Sequence, residues 1–68
     1  MTFLYPRKRS VIVNLKTGKS FRGILWATRV RFIVLRKAEF LKTRSEAVPV
    51  DHELVFYREN IEFIQVLA

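Results

Sequence analysis

The sequence predicts an all-β fold, a small five-stranded bent antiparallel barrel, on three observations. Val11, Val13 and Leu15 alternate with Ile12, Asn14 and Lys16, the period of two that a half-packed strand requires. The stretch from Val11 to Gly23, VIVNLKTGKSFRG, then breaks at Thr17-Gly18, restarts at Phe21 and breaks again at Gly23. A glycine at 18 admits the positive φ of a tight turn, and a glycine inside a strand marks a bulge or a close backbone approach. Finally, no segment carries a 3.6-residue apolar stripe with caps, whereas five short β-like runs fit within 68 residues.

The elements follow in order. Residues 1–10 form a basic arm, where Pro6 blocks a helix and Arg7, Lys8 and Arg9 supply charge. Residues 11–68 form the barrel domain. Its first strand is Val11 to Leu15 and its second runs from Phe21 to Trp26 or Ala27. Ala27-Thr28-Arg29-Val30 makes a turn without Gly or Pro. The third strand, Arg31 to Leu41, is rich in β-branched and aromatic residues. Lys42 to Glu46 is polar and reads as a loop. Pro49 limits Val48-Pro49-Val50 to an extended or edge segment. Glu53 to Tyr57 is the fourth strand, Glu59-Asn60 a short corner, and Ile61 to Val66 the fifth strand.

Composition bounds the partners. Without cysteine there is no disulfide and no thiolate metal site, a usage that suits the cytoplasm. The charge pattern of the first residues does not resemble a signal peptide. The longest uncharged apolar run, Phe32 to Leu35, is far too short to span a bilayer, so no membrane partner is expected. Half of the residues are hydrophobic, which fits either a dense barrel core or apolar surface buried between copies of the chain. A small lone core supplies little stability, which favours a partner. The formal charge of +7 favours an anionic partner, nucleic acid before an acidic protein surface or a membrane.

Catalytic chemistry finds little support, and no cofactor or metal is expected. His52 is the only histidine. In Asp51-His52-Glu53 adjacent side chains point to opposite faces of an extended segment, so the triplet reads as a polar turn. With only Gly18 and Gly23, no phosphate-cradling glycine loop exists. The basic residues say more. Arg29 and Arg31 flank Val30 in the turn, and Arg58 stands at the corner before the fifth strand. Guanidinium groups grip phosphate or stack on bases, and Phe32 and Tyr57 lie beside them. Mixed cations and aromatic faces hold single-stranded nucleic acid; the competing reading makes Phe32 and Tyr57 core residues. Arg7, Lys8 and Arg9 form either a solvated tail or a phosphate-contacting arm. Trp26 reads as core or subunit interface, with a base-stacking platform as the alternative. Lys16, Lys19 and Arg22 read as a solvated hairpin face.

These residues resemble the Sm-like family, the group that includes bacterial Hfq. Leu15, Gly18, Phe21, Gly23 and Leu25 fall on the positions of its first signature segment, and Ile33-Val34-Leu35 followed by Ala38 looks like the close of that segment. LVFYRENIEFI, from Leu54 to Ile64, looks like the second signature: Arg58 and Asn60 match the Sm version, and Tyr57-Arg58 resembles the Tyr-Lys of Hfq. The resemblance runs from about Val11 to Val66. It implies a bent five-stranded barrel of the SH3-like kind, usually behind an N-terminal helix that is absent or reduced here. It implies a ring of six or seven copies, joined edge to edge, that binds single-stranded RNA at loops lining the pore. Ring closure pairs strand edges that are otherwise a liability. The family's loop Asp falls near Arg29 and its Asn near Phe32, while Glu59 replaces the Sm Gly. Arg29 and Arg31 suit phosphate contact with little base selectivity.

The sequence therefore predicts a ring-forming module, not an enzyme, that binds single-stranded RNA, or DNA, largely through basic residues. Arg29, Arg31 and Arg58 contact phosphate, Phe32 and Tyr57 stack, Asn60 stands beside them, and Arg7, Lys8 and Arg9 assist. The alternative is a structural or assembly component, such as a phage virion protein, whose barrel docks on an acidic protein surface. Compact chains of this style also look like Sm-like proteins of tailed bacteriophages.

Overall fold

The computed structural model describes residues 8–67. They form strands β1 (Ser10–Leu15), β2 (Ser20–Thr28), β3 (Phe32–Thr43), β4 (Glu46–Pro49) and β5 (Leu54–Tyr57), a one-turn 3₁₀ helix (Arg58–Asn60), and β6 (Ile61–Val66). All ladders are antiparallel, in the order β4-β3-β2-β1-β6, with β5 also paired to β3. β5 lies along the first part of β3, with Phe32 opposite Tyr57 and Leu35 opposite Leu54. β4 lies along the last part, from Glu39 opposite Pro49 to Thr43 opposite Glu46. The two segments are thus halves of one bent strand, and the five expected strands appear as six. The break falls at Val50 to Glu53, after Pro49, whose missing N–H suits an edge.

Bulges bend the sheet into a barrel. Across β2 and β3 the pairing passes from Arg22 opposite Glu39 to Ile24 opposite Arg36, so Gly23 faces both Lys37 and Ala38. Lys37 carries the positive φ of 52° that this extra residue needs. A Cβ on Gly23 would meet the Ala38 Cα and the Arg36 carbonyl oxygen at 3.1 Å, the close approach that the sequence predicts there. Gly18, at φ 95°, turns β1 into β2. A second bulge lies on β2, where Trp26 is the extra residue between Leu25 opposite Leu35 and Ala27 opposite Val34.

Alternation places the core. Val11 and Val13 of β1, Leu25 of β2, Ile33, Leu35 and Ala38 of β3 and Phe56 of β5 are buried together. Leu15, Phe21, Val50, Leu54, Ile61 and Ile64 pack against them. Phe21 holds Phe40 and Phe56 with ring centroids at 5.2 Å each. Each fully buried aliphatic contributes about 1.5–3 kcal/mol. On the outer wall Ser20 donates to the Asn14 side chain at 2.8 Å and Asn14 to Gln65 at 3.1 Å, tying β2, β1 and β6.

The expected loop at Lys42 to Glu46 is instead a tight hairpin: β3 continues through Thr43, only Arg44 and Ser45 turn, and β4 begins at Glu46. Polarity there reports exposure on both faces of a hairpin. β2 also runs on to Thr28, so the following turn occupies residues 29–31. Among the described residues no ladder joins β6 to β4 or β5. The outer edges of β5 and β6 are therefore open, and Val55, Tyr57, Phe63 and Val66 on them are exposed.

Candidate nucleic-acid interface

Two short connections meet at one end of the barrel. The β2–β3 turn closes with the Arg29 N–H donating to the Phe32 carbonyl at 2.8 Å. The 3₁₀ turn after β5 docks on it: the Arg58 N–H donates to the Arg31 carbonyl at 2.8 Å, and Arg58 Nε donates to the Arg29 carbonyl at 2.8 Å. The register of β3 on β5 brings the chain to this junction. A cavity of about 380 Å³ opens there, lined by Val30, Arg31, Tyr57, Arg58 and Glu59.

The side chains divide by role. Arg31 and Arg29 are exposed, and Arg29 Nη1 donates to the Thr28 carbonyl at 2.9 Å. Arg58 is half-buried, with its N–H and Nε both spent on the turn, so it holds the turn in place. Tyr57 is 55% exposed, which removes the core reading for it. Phe32 is half-buried and meets Tyr57 edge to face, at 6.3 Å and 78°. Val30, at the tip between the two arginines, is 90% exposed. Glu59 sets a carboxylate on the rim of the cavity, opposing the arginines.

Asn60 presents an exposed side chain, and its carbonyl accepts the Lys16 N–H at 2.9 Å. That bond brings Lys16 beside the 3₁₀ turn. The sequence places Lys16 on a solvated hairpin face, and nothing local signals a neighbour so far along the chain.

The arm separates from this cluster. Arg7 lies outside the described residues. Lys8 and Arg9 extend the β1–β2 ladder, Lys8 N–H donating to the Leu25 carbonyl and the Arg9 carbonyl accepting the Leu25 N–H. Neither lines the cavity. The Lys8 ammonium stands 5.4 Å from the Trp26 ring centroid, with the Arg36 guanidinium 4.1 Å from it. Trp26 is 37% exposed, so it is not a core residue: one position past the buried Leu25, it faces the outer wall.

No group of His, Cys, Asp or Glu suited to holding a metal ion occurs among the described residues. Asp51, His52 and Glu53 are exposed in the link between β4 and β5, and Glu53 pairs with Arg36. No described helix is long and apolar enough to cross a membrane.

No family model matches the chain. A search of curated proteins found no match. Solved structures do resemble it. A heptameric archaeal Sm protein is similar at a TM-score of 0.78 and 24% identity, covering 90% of this chain and 88% of that one. The SmAP1 heptamer of P. aerophilum is similar at 0.76 and 25%, covering 90% and 81%. A chain of the NatC complex bound to CoA is similar at 0.77 and 18%, covering 97% and 88%. The antiparallel ladders, the bulged bend at Gly23 and these likenesses agree: the chain has an Sm-like fold.

Proposed function

We propose that copies of this chain join edge to edge into a closed ring, a hexamer or heptamer, and that the ring binds single-stranded nucleic acid, RNA before DNA, chiefly through charge. One observation carries the binding reading: Arg31 and Arg58 line one cavity with Tyr57, and Arg29 stands in the adjoining turn, its carbonyl held by Arg58. Arg29 and Arg31 are the phosphate contacts, Tyr57 offers a face to a base with Phe32 behind it, and Asn60 and Lys16 extend the surface. The β2–β3 turn, Arg29-Val30-Arg31, carries no carboxamide or carboxylate to read a base edge, so selectivity among bases is low. The reading assigns the chain no catalysis.

Assembly is supported by the open edges of β5 and β6 and by the heptameric state of the two Sm proteins of like fold. Exposed edges attract other strands, and ring closure removes them. Light scattering with and without a short oligouridine tests both halves together. A mass of six or seven copies that also carries the oligonucleotide is the expected result. A monomer at high concentration that leaves the oligonucleotide free would defeat the proposal.

A second reading, a structural subunit of a larger protein assembly, is favoured by the likeness to a chain of the NatC complex. Retention of a distinct protein, with no affinity for any single strand, would favour it.

A further inference from the structure

The outer wall holds a second cluster, around Trp26. Its indole faces outward, one position past the buried Leu25. Arg36 stacks over it at 4.1 Å, and Lys8 stands at 5.4 Å, near the limit at which a cation interacts with a ring. Among the described residues, Lys8 (φ 60°) and Lys37 (φ 52°) are the non-glycine positions in the left-handed region. The first sits over the indole and the second follows the arginine that does. Side chains adopt that backbone uncommonly, and such positions concentrate at functional sites. A groove of about 410 Å³ adjoins, lined by Arg36, Lys37, Val50, Asp51, His52 and Glu53. Glu53 pairs with Arg36, and Asp51 is the other carboxylate there. With Glu53 paired to Arg36, Lys8 and Lys37 stand against Asp51, a net positive charge that favours an anion.

We propose that Trp26, Lys8, Arg36 and Lys37 form a second contact for single-stranded nucleic acid on the barrel wall. A base lies against the indole, displacing the loosely held Lys8 ammonium, while Lys8 and Lys37 take the flanking phosphates. Arg36 stays stacked on the indole through its bond to Glu53. Aromatic faces ringed by cations suit a strand whose bases are unpaired. The contact adjoins the β2–β3 turn: Trp26 precedes Arg29 by three residues, roughly 10 Å of extended chain, so one strand reaches both. This inference rests on the nucleic-acid reading proposed for that turn.

Trp26 is the only tryptophan, so its fluorescence reports this site alone. The wild-type protein is titrated with a short labelled oligouridine, following indole emission and oligonucleotide anisotropy together. Quenching that saturates with the anisotropy is expected. Trp26→Ala weakens binding about tenfold. Lys37→Asn removes the charge with a residue that tolerates positive φ; it weakens binding several-fold and leaves the fold intact by circular dichroism. Anisotropy that rises while emission is unmoved and Lys37→Asn binds like wild type overturns the second contact alone. Equal quenching by polyglutamate at the same charge concentration overturns it as well, because no base is then needed. Absence of any anisotropy change overturns the reading on which it rests.

Discussion

Arg58 Nε donates to the Arg29 carbonyl oxygen at 2.8 Å, joining a side chain of the 3₁₀ turn to the backbone of the β2–β3 turn. The Arg58 N–H makes a parallel bond to the Arg31 carbonyl. One residue therefore sets the spacing between the two connections that shape the cavity. This differs from the role its charge suggests in the sequence, where Arg58 reads as a phosphate ligand. Its guanidinium still lines the cavity, but its geometry makes it first a positioning residue.

Substitution separates these roles. Arg58→Lys keeps the charge but lacks the Nε–H of a rigid fork. If Arg58 positions the turn, Arg58→Lys and Arg58→Ala weaken oligouridine binding by similar factors. Anisotropy titration decides it, because recovery of wild-type affinity by lysine marks a simple point charge.

Arg29 and Arg31 are exposed and act through their own charges. Arg29→Ala and Arg31→Ala each flatten the slope of log affinity against log salt by about 0.7, the share of one phosphate on a single strand. Titrations at several salt concentrations measure it. An unchanged slope removes that arginine from the interface.

Gly23→Ala tests the bend. The added Cβ would press on the backbone of Arg36 and Ala38 at 3.1 Å, in the middle of the longest ladder. Backbone on both sides of a bulge yields little, so a loss of about 1–3 kcal/mol is expected. It appears as a lower denaturant midpoint at constant slope.

The edges are tested by charge. Val55→Lys on β5 and Phe63→Lys on β6 replace exposed side chains, so each copy should keep its stability within about 0.5 kcal/mol. Lysine on an open edge opposes strand pairing. Light scattering should report single copies, with circular dichroism unchanged; persistence of the full assembly in both variants would place the joint elsewhere.

Much of the fold was legible because alternation is a direct record of which face is packed. Val11, Val13, Leu25, Ile33 and Leu35 all stand on the inward period and all are buried. Gly23 announced its bulge because a missing Cβ has few other uses inside a strand. What alternation does not encode is an added residue at a bulge. Trp26 reads as core or subunit interface because a large aromatic is ordinarily buried, yet alternation from the buried Leu25 sets it on the outer wall. Pairing distance hid the rest: the bond from Lys16 to Asn60 and the docking of Arg58 on Arg29 join positions far apart in the chain, with no local signature. Lys42 to Glu46 misled because charged residues suit an exposed hairpin as well as an irregular loop.

Among the described residues, β6 is stitched to β1 alone, and β5 to β3 alone. In an isolated copy these terminal strands therefore fray first, and their amides exchange with solvent sooner than those of β2. Pairing β5 of one molecule with β6 of another would supply each with its missing second neighbour. Folding and association then become one linked equilibrium, and the melting temperature climbs as the protein is concentrated.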